Sequence, residues 1–146
     1  MSIAIRPIEP ADRAGWEPLW QGYLAFYKTV LPPEVTQSTW NKLLDPSRDP
    51  HGLLAVDASG RPVGLTHYLF HQSTWTVAHI CYLQDLFVDP TVRGSGAGRA
   101  LIEAVYAKAD AAGAAQVYWL TQEFNTTARA LYDKVASLTP FVRYRR

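Results

Sequence analysis

The densest cluster of residues able to do chemistry is the run Arg93-Gly94-Ser95-Gly96-Ala97-Gly98-Arg99. Glycines at alternate positions allow backbone conformations closed to other residues, so successive N–H groups converge on one point. An anion is the natural occupant. The residues that follow have helical spacing, and a pyrophosphate held there gains from both the amides and the positive end of the helix dipole. Arg93 and Arg99 add charge at either edge. Two other phosphate loops do not match, since both the Walker spacing and the dinucleotide fingerprint require a further glycine where Arg99 stands. What remains is Arg-x-x-Gly-x-Gly, and the alternative is a tight strand-to-helix turn that binds nothing.

Other reactive types are sparse. Cys81 is the single cysteine, which excludes a disulfide within the chain and a paired-cysteine metal site; its strand-like neighbourhood reads as a small buried hydrophobe rather than a nucleophile. His67 and His71 are four apart, but on a predicted strand that spacing does not make a two-histidine zinc face, and no metal is expected. Asn125-Thr126-Thr127 matches a glycosylation sequon and is read as chance.

The elements that must position the loop follow from periodicity. Ile3 and Ile5 alternate with Ala4 and Arg6 as a short opening strand, and Pro10-Ala11-Asp12 looks like a helix start. A helix is expected over 16–30, ended by Pro32-Pro33, with a second over 34–44. The aromatics Trp16, Trp20, Tyr23 and Tyr27 of the first are core by default, or the lining of a substrate pocket between the early helices and the sheet. Strands are expected over 53–56 and 63–70, joined as a hairpin by Asp57-Ala58-Ser59-Gly60, and over 76–88, feeding the glycine loop. Leu101, Ile102, Val105 and Ala109 form one stripe of an amphipathic helix over 98–112, stopped by Gly113. A strand buried on both faces over 117–120, a helix carrying Ala128, Leu131, Tyr132 and Val135, and a final strand over 141–144 complete the pattern.

The chain has 146 residues, 48% hydrophobic and 18% charged, and reads as one domain over 1–146 with a real core. A formal net charge of +1 supplies no broad basic field, so neither nucleic acid nor a membrane surface is expected as partner. The start lacks a secretory signal pattern and no run of about 18 apolar residues occurs, which reads as a soluble cytoplasmic protein.

The stretch 86–99, from Leu86-Phe87-Val88-Asp89-Pro90 through the loop to Arg99, resembles the signature of the GNAT superfamily of N-acetyltransferases. Gln122-Glu123-Phe124-Asn125 with Ala128, Leu131 and Tyr132 looks like the second element of that family. The wording of 81–88 and 118–123 is similar to the histone-and-polyamine acetyltransferase branch, and more distantly to diamine acetyltransferases. Residues 1–75 match in general layout alone. The resemblance implies a mixed α/β (α+β) fold with a central, mostly antiparallel sheet, helices on both faces, and a V-shaped splay between the strands over 76–88 and 116–121 that admits pantetheine. It also implies acetyl-CoA as cosubstrate, an amine as acceptor and a homodimer.

Acetylation of an amine needs a neutral nitrogen, a polarised thioester carbonyl and a stabilised leaving thiolate. By the resemblance, a backbone amide of Leu86, Phe87 or Val88 meets the carbonyl and Tyr132 protonates the sulfur. Arg93, Gly94, Ser95, Gly96, Ala97, Gly98 and Arg99 form the pyrophosphate site, and Asn125 is a pantetheine or helix-start contact. Tyr132 also has the spacing of a residue that merely packs. Some diamine acetyltransferases place a glutamate where this chain has Gln84, and an amide cannot take the proton. Asp85, Glu123 and His79 remain as bases, directly or through water, or the two acids attract a cationic acceptor. The expected reaction is acetyl transfer to a primary amine of a small molecule, polyamine or amino-acid-like, or of a protein lysine, by direct attack in a ternary complex. Two rivals are a non-catalytic acyl-CoA sensor and a nucleotide-binding module.

Overall fold

A computed structural model describes residues 2–146. The order is β1 (Ala4–Pro7), a 3-10 turn (Pro10–Asp12), α1 (Arg13–Phe26), α2 (Pro33–Leu43), β2 (His51–Val56), β3 (Pro62–His71), β4 (Ile80–Val88), a second 3-10 turn (Pro90–Val92), α3 (Ala97–Ala111), β5 (Val117–Tyr118) and α4 (Thr126–Val135). The strands form one sheet in the order β1-β2-β3-β4-β5, antiparallel throughout except for the β4–β5 pair. The expected mixed α/β architecture is therefore observed.

Side chains on a strand alternate between faces, and both faces of this sheet are covered. On one, Leu101, Ile102 and Val105 of α3 meet Leu53, Ala55, Cys81 and Leu83, with Leu131 and Tyr132 of α4 against the same cluster. On the other, Trp16, Trp20 and Trp40 from α1 and α2 pack on Leu54 and Leu65. Each fully buried leucine contributes about 1.5–3 kcal/mol. The entry to α1 is fixed by Asp12, which accepts from the Glu9 N–H at 2.7 Å and takes both guanidinium arms of Arg6 at 2.7 and 2.8 Å. Those Arg6 hydrogen bonds hold the Asp12 carboxyl below its ordinary pKa.

A β-bulge in β4 decides where the site residues point. His67 pairs with Asp85 but Tyr68 pairs with Leu83, so Gln84 is an extra residue with no partner. Before it, Cys81 and Leu83 face the α3 cluster; after it, Leu86 and Val88 face that cluster and Phe87 faces α1. Without the extra residue, Asp85 would follow Cys81 and Leu83 into the apolar α3 side. The bulge turns it toward α1 instead.

Several expectations are corrected. The first helix ends at Phe26 rather than residue 30, because Lys28 takes a left-handed φ of 53° and the Thr29 N–H turns back to the Leu24 carbonyl at 2.9 Å. Pro33 opens α2 instead of closing α1. Residues 76–79 lie in the loop before β4, and the strand over 117–120 shrinks to two half-buried residues, with Leu120 49% exposed. The final strand over 141–144 is not formed: Phe141, Val142 and Tyr144 are 76%, 79% and 93% exposed. Alternating apolar residues supply a face, but a strand also needs a ladder partner, and these residues pair with none among those described.

Candidate active site

The site begins where the sheet opens. β4 and β5 pair at only two positions, Cys81 with Val117 and Tyr82 with Tyr118, while β4 runs on to Val88. From Leu83 onward its β5 side has no neighbouring strand among the described residues. Leu86, Phe87 and Val88 are held in register by β3 opposite Thr66, Leu65 and Gly64, leaving that edge free to pair with an extended guest.

β4 leads through the 3-10 turn into the glycine loop. Asp89 caps that turn, accepting from the Thr91 N–H at 2.9 Å, and the Ser95 N–H reaches the Val92 carbonyl at 3.2 Å. Gly94 and Gly96 have φ of +83° and +85°, and a Cβ built on either meets no heavy atom within 4 Å. The main-chain N–H groups of Gly94, Gly96, Ala97, Gly98 and Arg99 have no acceptor among the described residues. The Ser95 hydroxyl is buried and unpartnered. Arg93 is exposed without an ion pair among the described residues, and Arg99 bonds Glu103 at 3.1 Å on the following helix turn. Orphan donors around open space, at the start of a helix and beside a free cation, fit a diphosphate. Phe87, Asp89, Pro90 and Arg93 also border an open cleft of about 470 Å³ against α1.

On the α1 side of β4, Asp85 is 9% exposed and its Oδ2 lies 2.9 Å from His67 Nδ1. His67, 1% exposed, accepts at Nε2 from the indole N–H of Trp16 at 3.0 Å. Tyr23 faces the carboxylate, and burial together with the Asp85 charge raises its pKa. Burial and, to a smaller extent, the same charge raise Tyr27, whose hydroxyl faces Thr121 beyond β5. Tyr82, pushed up mainly by burial, stacks on Tyr118 at 4.8 Å, and His71 Nε2 meets the Tyr118 hydroxyl at 2.9 Å. The inner end of the fork is thus a ring of phenols around one carboxylate.

Tyr132 approaches from α4. It packs edge-on against Trp119 at 5.4 Å, and its pKa is pushed up to about 12 by burial and then by the neighbouring Tyr27. Tyr27, which feels the Asp85 charge, also acts electrostatically on Tyr132. Asn125 precedes α4 without capping it by its side chain, which instead donates to Thr121 Oγ1 at 3.1 Å. Glu123 is exposed, its carbonyl accepting from Arg129 at 2.7 Å, and His79 is exposed in the loop before β4. Cys81 is fully buried in the α3 cluster, with burial raising its thiol to about 11. The role of His67 was not legible in the sequence: its partners are 51 and 18 residues away, and no local pattern marks them.

Comparison with known proteins agrees with this geometry. The profile described as "Acetyltransferase (GNAT) family" matches residues 16–136. The D-amino-acid N-acetyltransferase HPA3 of Saccharomyces cerevisiae is 43% identical over 145 residues, covering 99% of this chain and 90% of that protein. A thialysine N-epsilon-acetyltransferase of Bos taurus is 36% identical over 94 residues, covering 60% of this chain and 55% of its own. In fold, the chain is similar to AAC(6')-Iy in complex with a bisubstrate analog, CoA-S-monomethyl-acetylneamine, with a TM-score of 0.86 at 17% identity over 100% of this chain and 98% of the other. A matched profile over most of the chain, a relative alike from end to end, and a forked sheet beside an anion-ready loop lead to one assignment: the chain belongs to the GNAT family of N-acetyltransferases.

Proposed function

We propose that the acceptor is a small primary amine of amino-acid or polyamine type, that its ammonium is received and deprotonated by Asp85, and that Tyr132 serves the departing sulfur. The observation that carries this reading is the position of Asp85: a nearly buried carboxylate, bonded by His67 and close to Tyr23, Tyr27 and Tyr82, at the inner end of the β4–β5 fork. A carboxylate with phenol hydroxyls near it suits an ammonium, which can donate to each of these oxygens. Glu123 and His79, which share the chemistry, stand exposed to solvent. The name of the yeast relative makes D-amino acids the first acceptors to test, with polyamines and lysine side chains behind them.

The residues divide the work as follows. The unpaired amides of Gly94 and of 96–99 with Arg93 would hold the pyrophosphate of acetyl-CoA, Asn125 and the free edge of β4 its pantetheine arm, and Leu86, Phe87 or Val88 would offer an N–H to the carbonyl. Acetyl-CoA supplies the activated thioester. Asp85 takes the proton that frees the amine lone pair. Tyr132, at about 12, stays protonated at neutral pH and is a donor. Against a thiol near 8.5, full proton delivery by such a phenol is uphill by roughly 3–4 units, about 5 kcal/mol. Tyr132 therefore stabilises developing charge at sulfur by a hydrogen bond, and the proton retained by the attacking amine completes the free thiol. A buried Cys81 with a raised pKa supports direct transfer without an acyl-enzyme.

The test is an acceptor panel of D- and L-amino acids, polyamines and lysine peptides, read by CoA release and by mass spectrometry of the modified nitrogen. Wild type is expected to acetylate small amines, and Asp85→Asn to lose turnover by about a hundredfold or more, within the range for a general base. An Asp85→Asn protein as active as wild type contradicts the role given to Asp85. Two further points belong to the proposal. The exposed Phe141, Val142 and Tyr144 of the 137–146 segment support a homodimer joined through it, checked by light scattering on the full chain and on a chain cut at residue 136. A cytoplasmic site of action is checked by fractionation of the source cells.

A further inference from the structure

We infer that Trp16 and His67 form a tautomer lock that fixes Asp85 in its working orientation, making both of them positioning residues for proton transfer. The inference rests on the role proposed for Asp85. Its warrant is the chain Trp16 Nε1–H to His67 Nε2 at 3.0 Å and His67 Nδ1 to Asp85 Oδ2 at 2.9 Å. An indole nitrogen donates and cannot accept, so Nε2 must carry a lone pair. The ring proton therefore sits on Nδ1 and points at Asp85. A second proton on the ring would set two N–H groups against each other across 3.0 Å. Trp16 thus keeps the imidazole a single-proton donor, and the ring cannot swing away because it is enclosed: Trp16 is fully buried and His67 is 1% exposed, between Trp16 and Trp20 at ring distances of 6.0 and 5.3 Å.

The backbone holds the other side. Thr66 donates its hydroxyl to the Asp85 carbonyl at 2.8 Å, and His67 is paired with Asp85 in the ladder at the bulge. Oδ2 is taken by His67 and the Tyr23 hydroxyl also faces the carboxylate, so the acceptor amine would share Asp85 with these two fixed neighbours. The arrangement has the form of a donor that orients a catalytic carboxylate, with the indole one step behind it setting which ring nitrogen donates.

Two replacements separate this role from packing. His67→Asn places an amide near the Nδ1 position and keeps a donor for Asp85 while abandoning Trp16. His67→Gln places its amide near the Nε2 position, where it can accept from Trp16 but no longer reaches Asp85. Asparagine is the smaller residue and leaves the larger void, so a purely structural role predicts that His67→Asn is the worse variant. The lock predicts the reverse in kcat: His67→Gln falls by about tenfold to a hundredfold more than His67→Asn, as for loss of a hydrogen bond to a charged group, with KM for acetyl-CoA unmoved in both. Wild-type protein carrying ¹⁵N-histidine supplies a readout that does not depend on folding of any variant. The His67 signal, assigned as the ring most shielded from solvent exchange because His67 is 1% exposed, is expected to show a protonated Nδ1 and a bare Nε2 at neutral pH. An Nε2–H tautomer, a doubly protonated ring, or equal kcat in the two variants overturns the lock. Asp85→Asn is run alongside: if it alone proves harmless, the Asp85 role has failed and takes the lock with it, whereas an inactive Asp85→Asn with indistinguishable His67 variants refutes the lock alone.

Discussion

Replacing Gly96 by alanine tests the loop in a way the structure makes quantitative, because Gly60 supplies an internal control. Both glycines have a φ of +85°, and a Cβ built on either finds no heavy atom within 4 Å. Each substitution therefore carries the same backbone penalty and no clash, and the cost of forcing an L-residue into this region is about 1–2 kcal/mol. Gly60 closes the turn in which Asp57 accepts from the Ser59 and Arg61 amides at 3.0 Å, far in sequence from the loop. At Gly96 the empty space is the place proposed for a pyrophosphate oxygen, so the new methyl also keeps the anion from at least one amide. A hydrogen bond to a charged group is worth about 1.5–3 kcal/mol, which corresponds to a loss of roughly ten- to a hundredfold in affinity. Urea unfolding without ligand should show equal destabilisation of Gly60→Ala and Gly96→Ala, while calorimetric titration with CoA should show weakened binding in Gly96→Ala alone. Wild-type affinity in Gly96→Ala would refute the assignment of the loop, whatever the stability data show.

Tyr132→Phe should leave acetyl-CoA affinity intact and lower kcat by about ten- to a hundredfold, the value of one hydrogen bond to a developing charge; an unchanged single-turnover rate would remove Tyr132 from the chemistry. The buried Tyr68 and the partly buried Tyr132 should make the fold sensitive to alkali. Tyr68 and Tyr132 are both raised to about 12, by burial first, whereas an unfolded tyrosine ionises near 10. Because the folded values are the higher ones, this stabilisation is complete below pH 10 and is lost as pH rises from 10 to about 12. Melting temperatures measured across that interval should fall steeply, and a flat profile would contradict the burial of these hydroxyls.

How far the sequence led depended on whether a feature is local. The loop and α3 were legible because three glycines and a stripe of Leu101, Ile102, Val105 and Ala109 lie within one stretch, and both periodicities act on near neighbours. The hairpin of β2 and β3 was legible for the same reason, since Asp57 to Gly60 carry their own turn chemistry. Strands that depend on distant partners were not. Nothing within residues 141–144 says whether a ladder waits for them, and nothing in 117–120 says that pairing to β4 stops after Tyr118. The site divided along the same line. Tyr132 was named from the family resemblance and Asp85 as one of three possible bases beside Glu123 and His79, but the bulge at Gln84 that turns Asp85 toward α1 is a mismatch between two strands and is written in neither. Trp16 read as core and His67 as a histidine without a metal. Only the folded sheet joins them to Asp85.

One bound molecule of CoA is expected to span from the amides of the glycine loop to the hydroxyl of Tyr132 through the fork of β4 and β5. A crystal structure of the complex with CoA tests this most directly. The expected result is pyrophosphate oxygens within hydrogen-bonding distance of N–H groups between Gly94 and Arg99, the pantetheine arm along the free edge of β4, and the sulfur beside Tyr132 with Asp85 facing it across the cleft. A nucleotide bound elsewhere with the loop vacant, or a sulfur that emerges away from Tyr132 and Asp85, would contradict it.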